Sequence, residues 1–155
     1  MLMTAATCLA LAVYHEARGE EIDAQKAVAE VVLTRAAHSD FPMTVCGVVT
    51  EHRTPASRPW ACQFSFYCDG KSDTPTDAAA WLTAQEVARE ALDGDILGIG
   101  ATHYHTLAVE PVWRHELEVV GVIGSHVFYT EENACHLPAC SERPTMRPDR
   151  SEVTQ

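Results

Sequence analysis

Glu16 is the residue of this chain best placed for acid–base chemistry. It follows an apolar run containing Leu9 and Val13, and Gly19 stands three residues after it. Because a glycine in this position commonly ends a helix, we expect Glu16 in the last turn of a buried helix. The carbonyl end of the helix dipole and the loss of hydration both disfavour a carboxylate there. The pKa of Glu16 should therefore be raised, as a general acid requires, unless the guanidinium of Arg18 folds back and offsets the effect.

Glu16 belongs to the first of several motifs whose order along the chain matches one protein family. They are Glu16–Glu20, Phe41-Pro42, Gln63–Ser65, Ala101–His105, Trp113 and Ile123–Tyr129. These segments resemble the E-A-R-G-E, Q-F-S, A-T-H-Y and I-G-x-H-x-F-Y motifs of the SleB-type cell-wall hydrolases, and the resemblance runs from about Cys8 to Tyr129. It implies a peptidoglycan-cleaving enzyme with a lysozyme-like fold, in which a catalytic helix faces a small β region across a cleft.

The resemblance implies that a single essential glutamate, matched by Glu16, cleaves the MurNAc–GlcNAc bond. A lytic transglycosylase protonates the glycosidic oxygen and then helps the muramic 6-hydroxyl attack the anomeric carbon, which gives a 1,6-anhydro sugar. Hydrolysis by a muramidase stays open, and it ordinarily needs a second carboxylate. Glu20 lies four residues after Glu16, but Gly19 breaks the helix between them. We therefore expect Glu20 to be a turn carboxylate or ion-pair partner, and we keep it as a candidate substrate contact.

The later motifs supply side chains that suit a sugar-binding cleft. Gln63 can hold an N-acetyl group, Phe64 offers an apolar floor and Ser65 can bond a carbonyl. On an extended segment, His103 and His105 would share one face and Tyr104 would occupy the other. The predicted substrate-binding residues are Glu20, Gln63, Phe64, Ser65, His103, Tyr104, His105, Trp113 and Tyr129.

Two other functions fit parts of the sequence. In a zinc-dependent N-acetylmuramoyl-L-alanine amidase, His103 and His105 would bind the metal with His115 or His126 as third ligand. A non-catalytic wall-binding module is the second alternative. The preferred interpretation includes no metal and no cofactor. His15 and Thr34 stand where the family commonly has alanine and asparagine, so neither is assigned a role.

The elements that must position these residues follow from periodicity and capping signals. Helices lead and short strands follow, which predicts a mostly helical α+β fold with a small antiparallel β region. We expect a first helix over 4–17 and a second from a cap at Asp23 to about Ala36. Residues 45–50 form a short helix or an extended piece, and Thr76 or Asp77 caps a helix over 78–92. Extended segments are expected at 102–106, 118–123 and 126–130.

Composition limits the partners. The 155 residues suit one domain with a real core. The net charge is −11, and the few Lys and Arg are scattered, which disfavours nucleic acid and anionic membrane surfaces. A membrane span needs about 18 or more apolar residues in a row, which the sequence lacks. We expect a monomer that binds peptidoglycan glycan strands.

Six cysteines indicate disulfides formed in an oxidising compartment. Cys62 with Cys68, or Cys135 with Cys140, would close short loops, whereas Cys8 is expected to be a free thiol in the core. Because Met1–Val13 lacks a basic n-region and leads directly into Glu16, we interpret it as mature structure. Action on the wall, in the periplasm or outside the cell, would then need holin-type release or a longer exported precursor. We place the catalytic domain at 1–134 and a polar Cys- and Pro-containing tail at 135–155.

Overall fold

The computed structural model describes residues 3–52 and 62–131. Helices come first and a three-stranded antiparallel sheet follows, so the predicted mostly helical α+β class is confirmed. The elements are α1 (Ala5–Ala17), α2 (Ile22–Ala36), α3 (Val45–Val49), α4 (Ala78–Leu92), β1 (His103–Thr106), β2 (Glu118–Ile123) and β3 (His126–Thr130), with 3₁₀ turns at Ser65–Cys68 and Val112–His115.

Helix α1 is the centre of the fold. Every side chain from Cys8 to Tyr14 is buried, and the helix packs against α2, α3 and α4. A helix that is apolar on all sides has to be surrounded in this way. Its Tyr14 hydroxyl accepts hydrogen bonds from the backbone N–H groups of Thr76 and Asp77, at 3.1 and 3.0 Å. The last turn of α1 is therefore tied to the start of α4.

The helix boundaries largely follow the capping signals. The Thr4 side chain accepts from the Thr7 N–H and caps α1, and the Asp77 side chain accepts from the Ala80 N–H and caps α4. Gly19 has a φ of 87°, so α1 ends as predicted. The predicted cap at Asp23 is wrong. The N-cap is Glu21, two residues earlier, so helix α2 begins at Ile22 and Asp23 lies in its first turn, where the helix dipole favours a negative charge.

The sheet has the order β1-β3-β2, and Tyr104 of β1 pairs with Phe128 of β3. Phe128 is fully buried and packs with Val28 and Val31 of α2. Glu30 of α2 is also fully buried, and its carboxylate accepts hydrogen bonds from the N–H groups of Gly98 and Gly100, each at 2.9 Å. Helix α2 thereby fixes both the sheet and the loop that leads into β1.

Two disulfides stabilise the described part of the chain. The Cys62–Cys68 disulfide confirms one of the two suggested short-loop pairings. Cys8 is bonded to Cys46, with a Cα–Cα distance of 5.2 Å, so the predicted free thiol is wrong. Packing of α3 on α1 brings together these cysteines, which are 38 residues apart. Cys135, Cys140 and the predicted tail at 135–155 lie outside the described residues. None of the described helices is long and apolar enough to cross a bilayer.

Candidate active site

Glu16 lies where α1 meets the sheet. Its carboxylate Oε2 accepts a hydrogen bond of 3.1 Å from the Tyr104 hydroxyl on β1. Burial raises the pKa of Glu16 above its ordinary value, although the Tyr104 hydrogen bond and the nearby His15 and Arg35 act in the opposite direction. The direction agrees with the one argued from sequence. Glu16 can therefore hold a proton and release it to a neighbouring oxygen.

Tyr104 is suited to be a permanent donor to this carboxyl group. Burial, and then the neighbouring Glu16, raise the pKa of Tyr104 well above its usual range, so the phenol stays protonated. Its ring packs at 5.7 Å from Phe128 and 5.3 Å from His126, measured between centroids. The Tyr104 hydroxyl is thus held toward Glu16 in both protonation states of the acid.

Arg35 is a residue of this site that sequence reasoning missed. It is 5% exposed, and its Nε donates to the Thr102 carbonyl oxygen at 2.6 Å. Its guanidinium lies over the rings of Phe41 and Phe64, at 5.3 and 5.7 Å from their centroids. The positive charge favours the ionised form of Glu16. The sequence offered no clear signal for this, because Arg35 is only one of several charged residues on α2, together with Asp23, Lys26 and Glu30.

An open cleft of about 320 Å³ surrounds Glu16. It brings together five of the predicted substrate-binding residues, from two segments far apart in sequence. Phe64, which is almost fully buried, is one of its lining residues. The residues that line the cleft are His15, Glu16, Arg35, Gln63, Phe64, Ser65, Tyr104, His105, Thr106, Val109 and His126.

Three other predicted contacts, His103, Trp113 and Tyr129, lie outside this lining. His103 and Trp113 pack together with ring centroids 5.2 Å apart, and Trp113 also contacts Tyr129. The Tyr129 hydroxyl is 2.9 Å from His105 Nε2. Burial, and then the charge of Arg35, lower the pKa of His103 to about 4, so His103 is neutral at pH 7. These residues form an aromatic cluster behind β1 that supports His105.

Glu20 is directed away from Glu16. Its carboxylate accepts hydrogen bonds from the Ser125 hydroxyl and, at 3.2 Å, from the Ser125 backbone N–H. These bonds lower the pKa of Glu20. Ser125 lies in the turn between β2 and β3, so an ionised Glu20 anchors this hairpin to the end of α1. Glu20 does not line the cleft around Glu16.

His126 is the second residue that the sequence analysis did not place in the site. It lines the cleft, although its side chain is only 3% exposed, and burial lowers its pKa. Its Nδ1 is buried and has no hydrogen-bond partner in the described part of the chain. Because an unbonded N–H costs more than an unbonded lone pair, we assign the neutral tautomer with the proton on Nε2. The sequence feature that could have indicated this role is the position of His126 on the inward-facing side of β3, in a motif that the sequence analysis assigned to the sheet.

The histidines suggested as zinc ligands are engaged elsewhere. His105 Nδ1 is 2.8 Å from the Thr106 carbonyl oxygen and its Nε2 contacts Tyr129, while His103 Nδ1 is 2.9 Å from Thr102 Oγ1. Among the described residues, the three potential ligands that come within 4.8 Å of one another are instead His38, Asp40 and Glu131. In that group, His38 Nδ1 accepts from the Asp40 N–H. The suggested zinc ligands among the histidines are therefore not grouped around one point in the described part of the chain.

A second cavity of about 360 Å³ also borders Glu16. His15 is the wall between the two cavities, since its ring stacks on Phe66 at 4.3 Å and its Nε2 is 3.0 Å from the Asp73 carbonyl oxygen. His15, Glu16 and Ser65 line both cavities. Glu16 therefore borders two adjoining cavities, which together offer space for more than one unit of a polymer.

A carboxyl at the end of a core helix, facing a small antiparallel sheet across an open cleft, is the arrangement of a lysozyme-like catalytic domain. The profile of the cell wall hydrolase family matches residues 19–129, beginning three residues after Glu16. The chain belongs to this family and is of the SleB type.

Curated relatives and solved structures agree with this membership. The chain is 34% identical over 125 residues to a spore cortex-lytic enzyme of Oceanobacillus iheyensis, and 35% identical over 121 residues to one of Halalkalibacterium halodurans. These matches cover 77% of this chain but only 39% and 33% of the two relatives. The chain thus spans about two fifths or less of their length.

The structural matches cover nearly whole catalytic domains. The catalytic domain of the germination-specific lytic transglycosylase SleB from Bacillus anthracis superposes with a TM-score of 0.66 and 30% identity, over 84% of this chain and 97% of that one. The crystal structure of the SleB catalytic domain from Bacillus cereus gives a TM-score of 0.60 and 29% identity, over 81% and 89%. The resemblance and the fold class predicted from sequence are confirmed.

Proposed function

We propose that this chain cleaves the MurNAc–GlcNAc bond of peptidoglycan as a lytic transglycosylase, with Glu16 as its acid and base. The observation that carries the proposal is the half-buried Glu16 between two cavities, with its pKa raised by burial and its carboxylate bonded to Tyr104. Similarity to the SleB lytic transglycosylase of Bacillus anthracis supports it.

The geometry supports a two-step role for Glu16. Protonated Glu16 gives its proton to the glycosidic oxygen as the bond to the anomeric carbon breaks. The carboxylate that results is stabilised by the Tyr104 hydroxyl and the charge of Arg35. It then takes the proton of the muramic 6-hydroxyl while that oxygen bonds to the anomeric carbon. Glu16 is restored, and no water is consumed.

Hydrolysis by a muramidase mechanism is less well supported. It ordinarily uses a second carboxylate to activate water or attack the sugar. Glu20 is the other acidic residue of the Glu16–Glu20 motif, and its carboxylate accepts hydrogen bonds from Ser125. A single acid with a tyrosine donor is better suited to attack by the sugar's own hydroxyl.

We further propose roles for the surrounding residues and a setting for the reaction. Gln63, Phe64, Ser65, His105 and His126 contact the sugars, Tyr104 and Arg35 position and polarise Glu16, and His103, Trp113 and Tyr129 support His105 from behind. The chain acts as a monomer on glycan strands of the wall, with no role for nucleic acid or membrane. It reaches the wall by holin-type release or as part of a longer exported protein, with 1–134 as the catalytic domain and 135–155 as a tail.

Digestion of purified sacculi followed by mass spectrometry tests this proposal. We expect 1,6-anhydromuramic ends from the wild-type protein, and at least a hundredfold slower release by Glu16→Gln. Glu86→Gln is the matched control, because Glu86 is exposed on α4. Reducing ends in place of anhydro ends would establish hydrolysis instead. Free stem peptides, lost with EDTA and restored by zinc, would establish the amidase.

A further inference from the structure

Two exposed basic side chains in the described part of this acidic protein lack a carboxylate partner, and both line the second cavity. Of the six Lys and Arg residues in the described part of the chain, Lys26, Arg89 and Arg114 form ion pairs. Arg35 is buried against the Thr102 carbonyl. The remaining two, Arg18 and Lys71, are exposed and have no described carboxylate within 4.0 Å; both line the cavity of about 360 Å³ beside Glu16.

The same cavity contains two carboxylates that lack a basic partner. Asp69 and Asp73 line it, and neither lies within 4.0 Å of a described Lys or Arg side chain. Asp69 Oδ1 accepts the backbone N–H of Lys71 at 2.8 Å, which fixes the turn but leaves the Lys71 ammonium group unpaired. Arg18 lies over the ring of Tyr14, 4.8 Å from its centroid, and this contact keeps the guanidinium at the edge of the cavity. Charges of both signs thus face one space without neutralising each other.

This pattern is informative about the ligand. A glycan backbone offers hydroxyl and acetamido groups, for which hydrogen-bonding side chains and aromatic rings suffice. The stem peptide attached to the muramyl sugar carries carboxylates and, at its diamino residue, a free amine. Bidentate pairing with a guanidinium is a favoured mode of carboxylate recognition. The cavity shares His15, Glu16 and Ser65 with the main cleft, so a peptide lying there would branch from a sugar next to the bond being cleaved.

We propose that this cavity binds the stem peptide of the muramyl residue, with Arg18 and Lys71 pairing with its carboxylates and Asp69 and Asp73 facing its amine. The inference rests on the proposed glycan-cleaving function and extends it from the glycan backbone to the peptide branch. It makes the protein selective for glycan strands that retain their stems. Because both cations are exposed, each pair contributes modestly and is screened by salt.

The test compares two forms of one substrate. Glycan strands that carry stems are prepared from sacculi, and part of the sample is stripped of peptide with an N-acetylmuramoyl-L-alanine amidase. The wild-type protein should cleave stem-bearing strands faster than stripped ones, and the preference should fall when sodium chloride is raised from low to high concentration. In the double variant Arg18→Ala/Lys71→Ala, the ratio of the two rates should fall about fivefold, a size typical of two exposed ion pairs.

The control is Lys26→Ala/Arg89→Ala, which also removes one lysine and one arginine but from ion pairs outside both cavities. It should keep the wild-type ratio. Lys71→Glu, which leaves Arg18 on Tyr14, should lower the ratio further than Lys71→Ala. An equal fall on both substrates, an unchanged ratio in the double variant, or the same fall in the control would overturn stem recognition. If the wild-type protein cleaves neither substrate, it is the glycan-cleaving function that has failed.

Discussion

Glu16 and Glu20 lie four residues apart in one motif, but the fold gives them opposite properties. Burial raises the pKa of Glu16, whose carboxylate has one side-chain donor, Tyr104. The pKa of Glu20 is lowered, because Ser125 donates both its hydroxyl and its N–H. Gly19, with a φ of 87°, separates them and turns the chain, so that one carboxyl faces the cleft and the other faces the hairpin turn.

The comparison shows how one residue type acquires two roles within a single turn of chain. Desolvation with few donors leaves a proton that can be transferred, whereas several donors to the charged form hold a permanent anion. Glu16 is therefore suited to chemistry and Glu20 to holding β2 and β3 against α1. Substitutions at and around the two carboxyls can separate these roles.

The largest expected effect is the loss of activity in Glu16→Gln. We expect a fall of at least a hundredfold in the release of muropeptides, while Glu20→Gln stays within about threefold of wild type if its role is only structural. Because the folded protein raises the pKa of Glu16, ionisation there disfavours folding as pH rises above the ordinary value of 4.5. Glu16→Gln should therefore melt at a higher temperature than wild type at pH 8. Equal losses of activity in the two variants would remove the distinction between them.

Tyr104→Phe should lower the rate by about tenfold and shift its pH dependence. The Tyr104 hydrogen bond lowers the pKa of Glu16, so its removal raises that pKa further. The reaction needs protonated Glu16 and is lost as pH rises through its pKa, so the alkaline limb of the rate profile should move to higher pH. Tyr67→Phe, at an exposed tyrosine, serves as control. A limb that moves to lower pH would show that Tyr104 does not act on Glu16 in this way.

Two glycines test the anchoring of the hairpin. Gly124 has a φ of 58°, and a Cβ there would come within 2.5 Å of Glu20 Oε2 and 2.9 Å of the Ala24 Cβ. Gly19 also has a positive φ but has open space around it. We expect Gly124→Ala to lower the free energy of unfolding by about 3 kcal/mol, from strain plus crowding, and Gly19→Ala by about 1 kcal/mol from strain alone. Urea unfolding measures both, and equal losses would contradict the close packing of Glu20.

The smallest effect is the stability change in Glu20→Gln. Its lowered pKa means that the carboxylate stabilises the fold above the ordinary value of 4.5, and that this contribution is lost as pH falls through the pKa of the folded state. Because the site is partly solvated, we expect a deficit of only about 1 kcal/mol at pH 7. The deficit should disappear in acid, near pH 2. A deficit that persists there would place the effect in packing rather than charge.

Local signals in the sequence were sufficient for several elements of the site. Gly19 and the apolar run before it placed Glu16 at a helix end, and the polar residue at 77 marked the start of α4. Alternation on β1 separated Tyr104 from its histidine neighbours. Each of these features depends on residues within a few positions of one another.

The contacts that define the chemistry depend instead on residues far apart in sequence. Glu16 and Tyr104 are separated by 88 positions, and Glu20 and Ser125 by 105. No local pattern revealed that Arg35 would lie near Glu16 or that Cys8 would meet Cys46.

The sequence by itself determined the family, the mostly helical α+β class and a carboxyl group at the end of the first helix. Only the tertiary structure decided which side chains surround the Glu16 carboxyl group, and that the neighbouring Glu20 is held by Ser125. The physical reason is that helix capping and strand alternation are short-range effects, whereas burial, charge and donor number around a carboxyl are set by segments that meet only when the chain folds.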